Sequence, residues 1–186
     1  MEQLATQHGL AFKPEIVSTL NEHDFIYLRR GDDKQESHAI LGDHQGCDVR
    51  VFDYSHTSAP NYYTKHWHTL ITSTCASASD ASVPDFVITP GHYLERYLVQ
   101  MDEMPMSEGA FADNYRLFAD QGSEPQRFIS SELVEFLMQH DDYYLEVRKG
   151  VMLAFRRNHS LASAEELAQL FKLVECFNRS CEEAKG

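Results

Sequence analysis

The residues of this chain best suited to chemistry are three histidines around one loop. His66 and His68 stand two apart at the start of a strand-like run, Trp67-His68-Thr69-Leu70-Ile71-Thr72-Ser73-Thr74. At that spacing both imidazoles project to the same side of a strand. His56, across the loop, adds a third, and three imidazoles are enough for a catalytic zinc with one open coordination position. The pattern implies a metal-dependent hydrolase using His56, His66 and His68. The competing reading is a solvated strand face beside a loop, because nothing in the sequence fixes a carboxylate or cysteine next to them.

The same loop is rich in large rings: Tyr54, Tyr62, Tyr63 and Trp67. Tyr and Trp bury area at small entropic cost and carry a polar handle, so such a patch suits recognition of a partner. Rings of this size also roof hydrophobic cores, which is the plainer use of them. Elsewhere, the acidic pairs Asp32-Asp33, Asp102-Glu103 and Asp141-Asp142 fall in expected turns and lack the spacing of a calcium loop. The patterns G-x-S-x-G, H-E-x-x-H and G-x-x-x-x-G-K-[ST] are absent. Triads need no sequence adjacency, so these absences lower the expectation of an enzyme without removing it.

Composition narrows the classes further. A chain of 186 residues with eleven phenylalanines and nine tyrosines can bury a sizeable core. Its formal net charge of -13 repels nucleic-acid phosphates and anionic lipid, and is compatible with a basic protein partner or with plain solubility. No run approaches about 18 apolar residues, so no membrane span is expected. The amino end, Met1-Glu2-Gln3-Leu4, has neither the basic nor the apolar region of a secretory signal, and a cytoplasmic location is the expectation. Cys47, Cys75, Cys176 and Cys181 show no C-x-x-C spacing and are expected as reduced, scattered thiols. No cofactor is expected.

These residues need elements to position them. Glu2 to His8 can form a short helix ended by Gly9. Phe25 to Arg29 reads as a first strand stopped at Gly31-Asp32-Asp33, His38 to Leu41 as a second, Cys47 to Tyr54 as a third, and Trp67 to Cys75 as a fourth. In the third, Cys47, Val49 and Val51 share one face, and Asp53 falls on it, which calls for a bulge or for a position beyond the buried part of the sheet. Asp85 to Thr89 is a fifth strand, His92 to Val99 has helical spacing, Met101 to Gly109 is a loop, and Asn114 to Phe118 is a sixth strand. Ser123, Pro125 and Gln126 form a capping box for a helix whose face carries Ile129, Leu133, Phe136 and Leu137. Tyr143 to Arg148 and Val151 to Arg156 form a hairpin turned at Lys149-Gly150. Ser163 and Glu166 cap a last helix with Leu167, Leu170, Phe171, Val174 and Phe177 on one stripe.

The expectation is therefore one α+β domain over residues 1-186, with a largely antiparallel sheet of about 7–8 strands and helices that include a C-terminal amphipathic one. Several short marks resemble a family of uncharacterised bacterial proteins. They are His8-Gly9-Leu10, Ile40-Leu41-Gly42, Val51-Phe52-Asp53-Tyr54, Asp85-Phe86 leading to Pro90-Gly91, and Phe111 with Tyr115-Arg116-Leu117. The hairpin from Tyr144-Leu145-Glu146-Val147 to Leu153-Ala154-Phe155-Arg156 belongs with them. The resemblance spans Leu4 to Phe177 and implies a fold; it implies no activity and transfers no catalytic residue. Some members of that family carry membrane-spanning helices before the comparable region, and this sequence has no such run.

The function expected from all this is a non-catalytic protein-interaction domain, with Tyr54, Tyr62, Tyr63 and Trp67 as its contact and an acidic inhibitor or immunity-type role as one form of it. Two alternatives come from other classes. One is the histidine-based metal-dependent hydrolase, and the other a small-molecule or lipid-binding module with its pocket between sheet and helices.

Overall fold

The computed structural model describes residues 1–16, 24–58, 64–75, 83–93, 100–106, 109–140 and 142–185. Among these, nine strands form one sheet: β1 (Ala11–Lys13), β2 (Asp32–His44), β3 (Cys47–Ser58), β4 (Thr64–Cys75), β5 (Phe86–Pro90), β6 (Asp102–Met104), β7 (Tyr115–Ala119), β8 (Tyr143–Arg148) and β9 (Val151–Arg156). The order is β1-β2-β3-β4-β9-β8-β5-β7-β6, and every pair is antiparallel. Four α-helices among the described residues accompany it: α1 (Glu2–Gln7), α2 (Ala110–Asn114), α3 (Ser131–Gln139) and α4 (Ala164–Glu183). The α+β class and the C-terminal amphipathic helix match the sequence expectation; the sheet has one or two strands more, the additions being the three-residue β1 and β6 at its edges.

The two faces of the sheet are covered differently. Strand alternation puts Val51, Ile71, Ala154, Leu145 and Ile88 on one face by register. α3 and α4 cover that face, with Leu133 and Leu137 of α3 and Leu167, Phe171 and Val174 of α4 buried. Tyr115, on the same face, donates its hydroxyl hydrogen to the Leu137 carbonyl at 3.0 Å. Ser163 caps α4 by accepting from the Glu166 N–H at 3.2 Å, and Glu166 returns to the Ala162 N–H at 2.6 Å. Lys149 (φ 50°) and Gly150 (φ 74°) both take left-handed backbone in the two-residue β8–β9 turn, as a tight hairpin requires.

The opposite face carries Phe52, Tyr54, His56, His66, His68, Leu70, Phe155, Tyr144 and Glu146 in register. It is roofed by residues 24–30, which correct the expected first strand: Tyr27–Arg29 is a single 3-10 turn. The stop expected at Gly31-Asp32-Asp33 is the start of β2 instead, and Asp33 (φ 49°) and His38 (φ 53°) mark the two places where β2 slips register against β3. The irregularity sits on β2, so β3 and β4 pair without a break and Asp53 keeps its face. It accepts from the Thr69 hydroxyl at 2.8 Å and meets His38 at 3.2 Å. The expected helix start at Ser123 is also corrected. Pro125–Phe128 forms its own 3-10 turn, and Ser130 caps α3 by accepting from the Leu133 N–H. Of the expected helix His92 to Val99, His92 and Tyr93 belong to a 3-10 turn and the rest lies outside the described residues.

The thiol expectation is overturned for one pair. Cys47 and Cys75 are directly opposite in the β3–β4 ladder and joined as a disulfide, with 4.3 Å between their Cα atoms. Cys176 and Cys181 are free and buried in α4, and burial pushes their thiols up to about 11 and about 12. Among the described residues no helix is long and apolar enough to cross a membrane.

Candidate functional site

One unbroken ladder assembles the histidines. Pairing about position 61 sets Tyr54 opposite His68 and His56 opposite His66 on one face. β9 joins β4 only from Leu70 onward, so the histidine-bearing end of the β3–β4 hairpin extends past that pairing. Its roof is Tyr27. The Tyr27 ring lies 4.1 Å from Phe155, 5.5 Å from Tyr144, 5.7 Å from His68 and 5.8 Å from His56, centroid to centroid.

A buried carboxylate holds that roof. Glu146 on β8 is fully buried, yet it accepts from the Ile26 N–H at 2.6 Å, the Tyr27 N–H at 3.1 Å, the Tyr144 hydroxyl at 2.9 Å and Arg148 Nε at 3.1 Å. The first two donors open the 3-10 turn, where N–H groups lack partners within the turn. Arg148 in turn meets Asp85 at 3.0 Å, and the Lys149 N–H donates to the same carboxylate. An unpaired buried charge is very costly, and here every requirement for keeping one is met.

The hydrogen bonds around His68 decide its chemistry. The Asn158 N–H donates to Nδ1 at 2.8 Å, so the ring proton of the neutral imidazole sits on Nε2, which donates to Tyr27 Oη at 2.6 Å. Burial, then repulsion from His56 and His66, pushes the His68 imidazole down to about 3. Burial, followed by His66, Arg30, Lys34 and Arg157, lowers His56 to about 4. Both rings are therefore neutral at pH 7. His66 Nε2 meets Ser58 Oγ at 2.8 Å. Gly31 (φ 65°) lets the His56 ring approach: a Cβ there would stand 2.5 Å from His56 Cδ2 and 2.4 Å from the Thr57 carbonyl oxygen.

All three predicted histidines meet, but as a stack. Ring centroids are 4.9 Å apart for His56 and His66, 6.0 Å for His56 and His68, and 6.4 Å for His66 and His68, with interplanar angles of 20°, 27° and 7°. A metal needs ligand lone pairs converging on one point. His68 has none to give, since Nδ1 accepts from Asn158 and Nε2 carries the proton. Among the described residues no three His, Cys, Asp or Glu side chains are placed to hold a metal ion.

The aromatic residues separate. Tyr54 is buried, burial raises its hydroxyl well above the ordinary tyrosine range, and Oη has no hydrogen-bond partner among the described residues. Trp67 faces outward from the other side of the hairpin, opposite Ser55, and is 52% exposed, with Lys65 Nζ 4.1 Å from its ring centre. Tyr62 and Tyr63 lie outside the described residues. Next to the histidines, Tyr27, Arg30, His56, Ser58, His66 and Arg157 line a cleft of about 200 Å³. Tyr27, Glu146, Arg30 and Arg157 escaped the sequence reading. The available signal was Glu146, a lone carboxylate in Tyr-Tyr-Leu-Glu-Val-Arg, where both alternating sets of side chains are otherwise largely apolar or aromatic.

No family model matches the chain, and no curated protein matches it. Among solved structures it is similar to the mycobacterial trehalose monomycolate transport factor A, TtfA, with a TM-score of 0.69 at 13% identity over 98% of this chain and 92% of that one. The likeness is one of fold.

Proposed function

We propose that this chain is a single non-catalytic binding domain, working by contact with a basic protein partner at the aromatic end of the β3–β4 hairpin. The observation that carries the reading is Trp67, the exposed large apolar side chain among the described residues, on the paired strands β3 and β4. A ring held this way loses little freedom on docking. The net charge of -13 favours a basic surface on the other side. The neighbour in fold is itself described as a transport factor, and an accessory role, acting through contacts, agrees with that description. The hydrogen-bonded, neutral state of His68 argues against the hydrolase reading.

The Cys47–Cys75 bond bears on location. Disulfides persist in oxidising compartments and are rare in the cytosol, so an oxidising surrounding suits this chain better than the cytoplasm expected from its amino end.

The test is a photo-activatable residue at position 67, installed in the cell that makes the protein, with the same residue at the exposed position Lys172 on α4 as the comparison. The expected result is a discrete adduct to a basic protein from position 67 only. Equal labelling from both positions would remove the hairpin end as the contact.

A further inference from the structure

The sheet loses a strand beside Trp67. β9 pairs with β4 from Thr74 to Leu70 and then leaves it, whereas β3 and β4 stay paired as far as Ser58 and Thr64. Two bonds fix the departure: the Thr69 N–H donates to the His159 carbonyl at 2.9 Å, and the Leu161 N–H donates to Thr69 Oγ1 at 2.8 Å. Thr69 therefore points its N–H away from β3. Backbone groups on an antiparallel strand change sides with each residue, so Trp67 and Lys65 present N–H and C=O on that same outer side. None of these four groups has a hydrogen-bond partner among the described residues. Thr64, Lys65 and Trp67 are exposed. A strand that is interior to the sheet for most of its length thus ends as an open edge.

We propose that this edge of β4, residues 64–68, receives an extended segment of a basic protein as an added strand, in the place in the sheet that β9 gives up. The inference rests on the reading of Trp67 as the contact and adds the form of the partner. Strand addition draws affinity from main-chain hydrogen bonds and selectivity from alternate side chains. In the added strand, the residues opposite Lys65 and Trp67 lie on the Trp67 face, and the one opposite His66 lies on the other, toward the cleft that His66 lines. The Trp67 face suits basic side chains. Its ring attracts a cation, as the Lys65 ammonium 4.1 Å from the ring centre illustrates. Two carboxylates stand beside Thr69, the next residue along that face: Asp53 accepts from the Thr69 hydroxyl, and Glu166 lines a small hollow with Thr69. Among the described residues their side-chain partners are that hydroxyl, His38 and His159, and neither carboxylate is paired with a lysine or arginine. A second copy of this chain fits the edge less well, because Lys65 on the edge and a net charge of -13 on each copy oppose self-pairing.

The experiment titrates the isotope-labelled full chain at pH 7 with two blocked peptides and follows it by NMR. One is acetyl-Lys-Thr-Lys-Val-Lys-Thr-Lys-amide; the other is the same peptide N-methylated at its three central residues, which keeps charge and side chains and removes donors from both of its edges. Saturable binding of the first is expected, with the second weaker by about tenfold or more, since several hydrogen bonds are lost. Amide exchange should slow at Lys65 and Trp67 and stay as it was at His66, whose N–H faces β3. Lys65→Pro removes an outward donor that β3 does not use, a place where an edge strand tolerates proline, and should weaken binding by about fivefold, the worth of one hydrogen bond. Lys65→Ala keeps the N–H and should bind within about twofold of wild type. Urea midpoints establish that the variants fold, and the exchange measurement needs no variant. Equal binding of the two peptides, no saturable binding of either, or protection of the same amides by self-association of the free chain overturns the added strand. Trp67→Ser separates this inference from the contact it rests on. Equal weakening of both peptides by that variant keeps the contact and removes the strand; protected edge amides with no loss of affinity keep the strand and remove Trp67 as the anchor.

Discussion

Replacing Glu146 by Gln tests the roof of the site with almost no change of shape. The carboxylate accepts four hydrogen bonds, from Ile26 N, Tyr27 N, Tyr144 Oη and Arg148 Nε. A carboxamide keeps one acceptor oxygen. Its better orientation leaves that oxygen with Ile26 and Arg148 and turns the NH2 toward Tyr144, whose hydroxyl can accept instead. The Tyr27 N–H is then orphaned, at about 1–3 kcal/mol, and the ionic bond to Arg148 becomes a neutral one, with a loss of about 1.5 kcal/mol. Arg148 keeps Asp85, which limits the damage. The sum is about 2.5–4.5 kcal/mol, a large part of the ~5–15 kcal/mol that stabilises a typical chain. Urea unfolding reads the total, and trypsin cleavage after Arg29 or Arg30 in native buffer reads release of the turn. Glu132→Gln, which breaks a more exposed pairing with Lys172 and Arg179, should cost under about 1 kcal/mol. A Glu146→Gln chain within about 1 kcal/mol of wild type, with the turn still protected, would refute the argument that this carboxylate holds Tyr27 in place.

Three further outcomes follow from the packing and the titrating groups. His56 and His68 are lowered to about 4 and about 3 in the folded chain against 6.5 when free, so between those values the unfolded chain binds more protons and stability falls as pH drops through 6.5; urea midpoints at pH 7.5 and 5.5 should differ by about 3 kcal/mol for the two rings, and equal midpoints would contradict their neutral burial. Thiol titration of unreduced, denatured protein should find two thiols, and reduction should lower stability by about 3–4 kcal/mol for a bond spanning 28 residues of sequence; four thiols would contradict the Cys47–Cys75 bond. Phe171→Ala in α4, where the ring packs 4.4 Å from that of His44, should cost about 3–5 kcal/mol by thermal or urea unfolding, and an unchanged midpoint would take α4 out of the core.

What the chain disclosed in sequence follows the range of the interactions involved. The β8–β9 hairpin, the strands around Val51 and Leu70, and the Ser163-capped α4 are written in local periodicity, turn residues and caps, and they fold where those signals place them. Phe25 to Arg29 carries no usable period, and its conformation is set by Glu146, 120 positions from Ile26, so a local reading as strand had nothing to oppose it. Cys47 and Cys75 look scattered until the hairpin is paired about position 61, which makes them opposite each other. The histidines were found because i, i+2 spacing on a strand is local. Their nitrogens were not predictable, because the partners of His68 are Tyr27 and Asn158, each distant in sequence. Arg30 and Arg157 joined the cleft by the same non-local route.

The central claim, that function resides in contact at the Trp67 end of the hairpin, is tested most directly by the affinity of Trp67→Ser for the partner captured from position 67, measured beside its urea midpoint. A half-exposed ring with one exposed lysine beside it contributes little to folding, so the midpoint should stay within about 0.5 kcal/mol. Binding should weaken by about 2 kcal/mol or more, roughly thirtyfold, as expected for a docking anchor. Unchanged affinity, or a loss of stability equal to the loss of binding, would contradict the account.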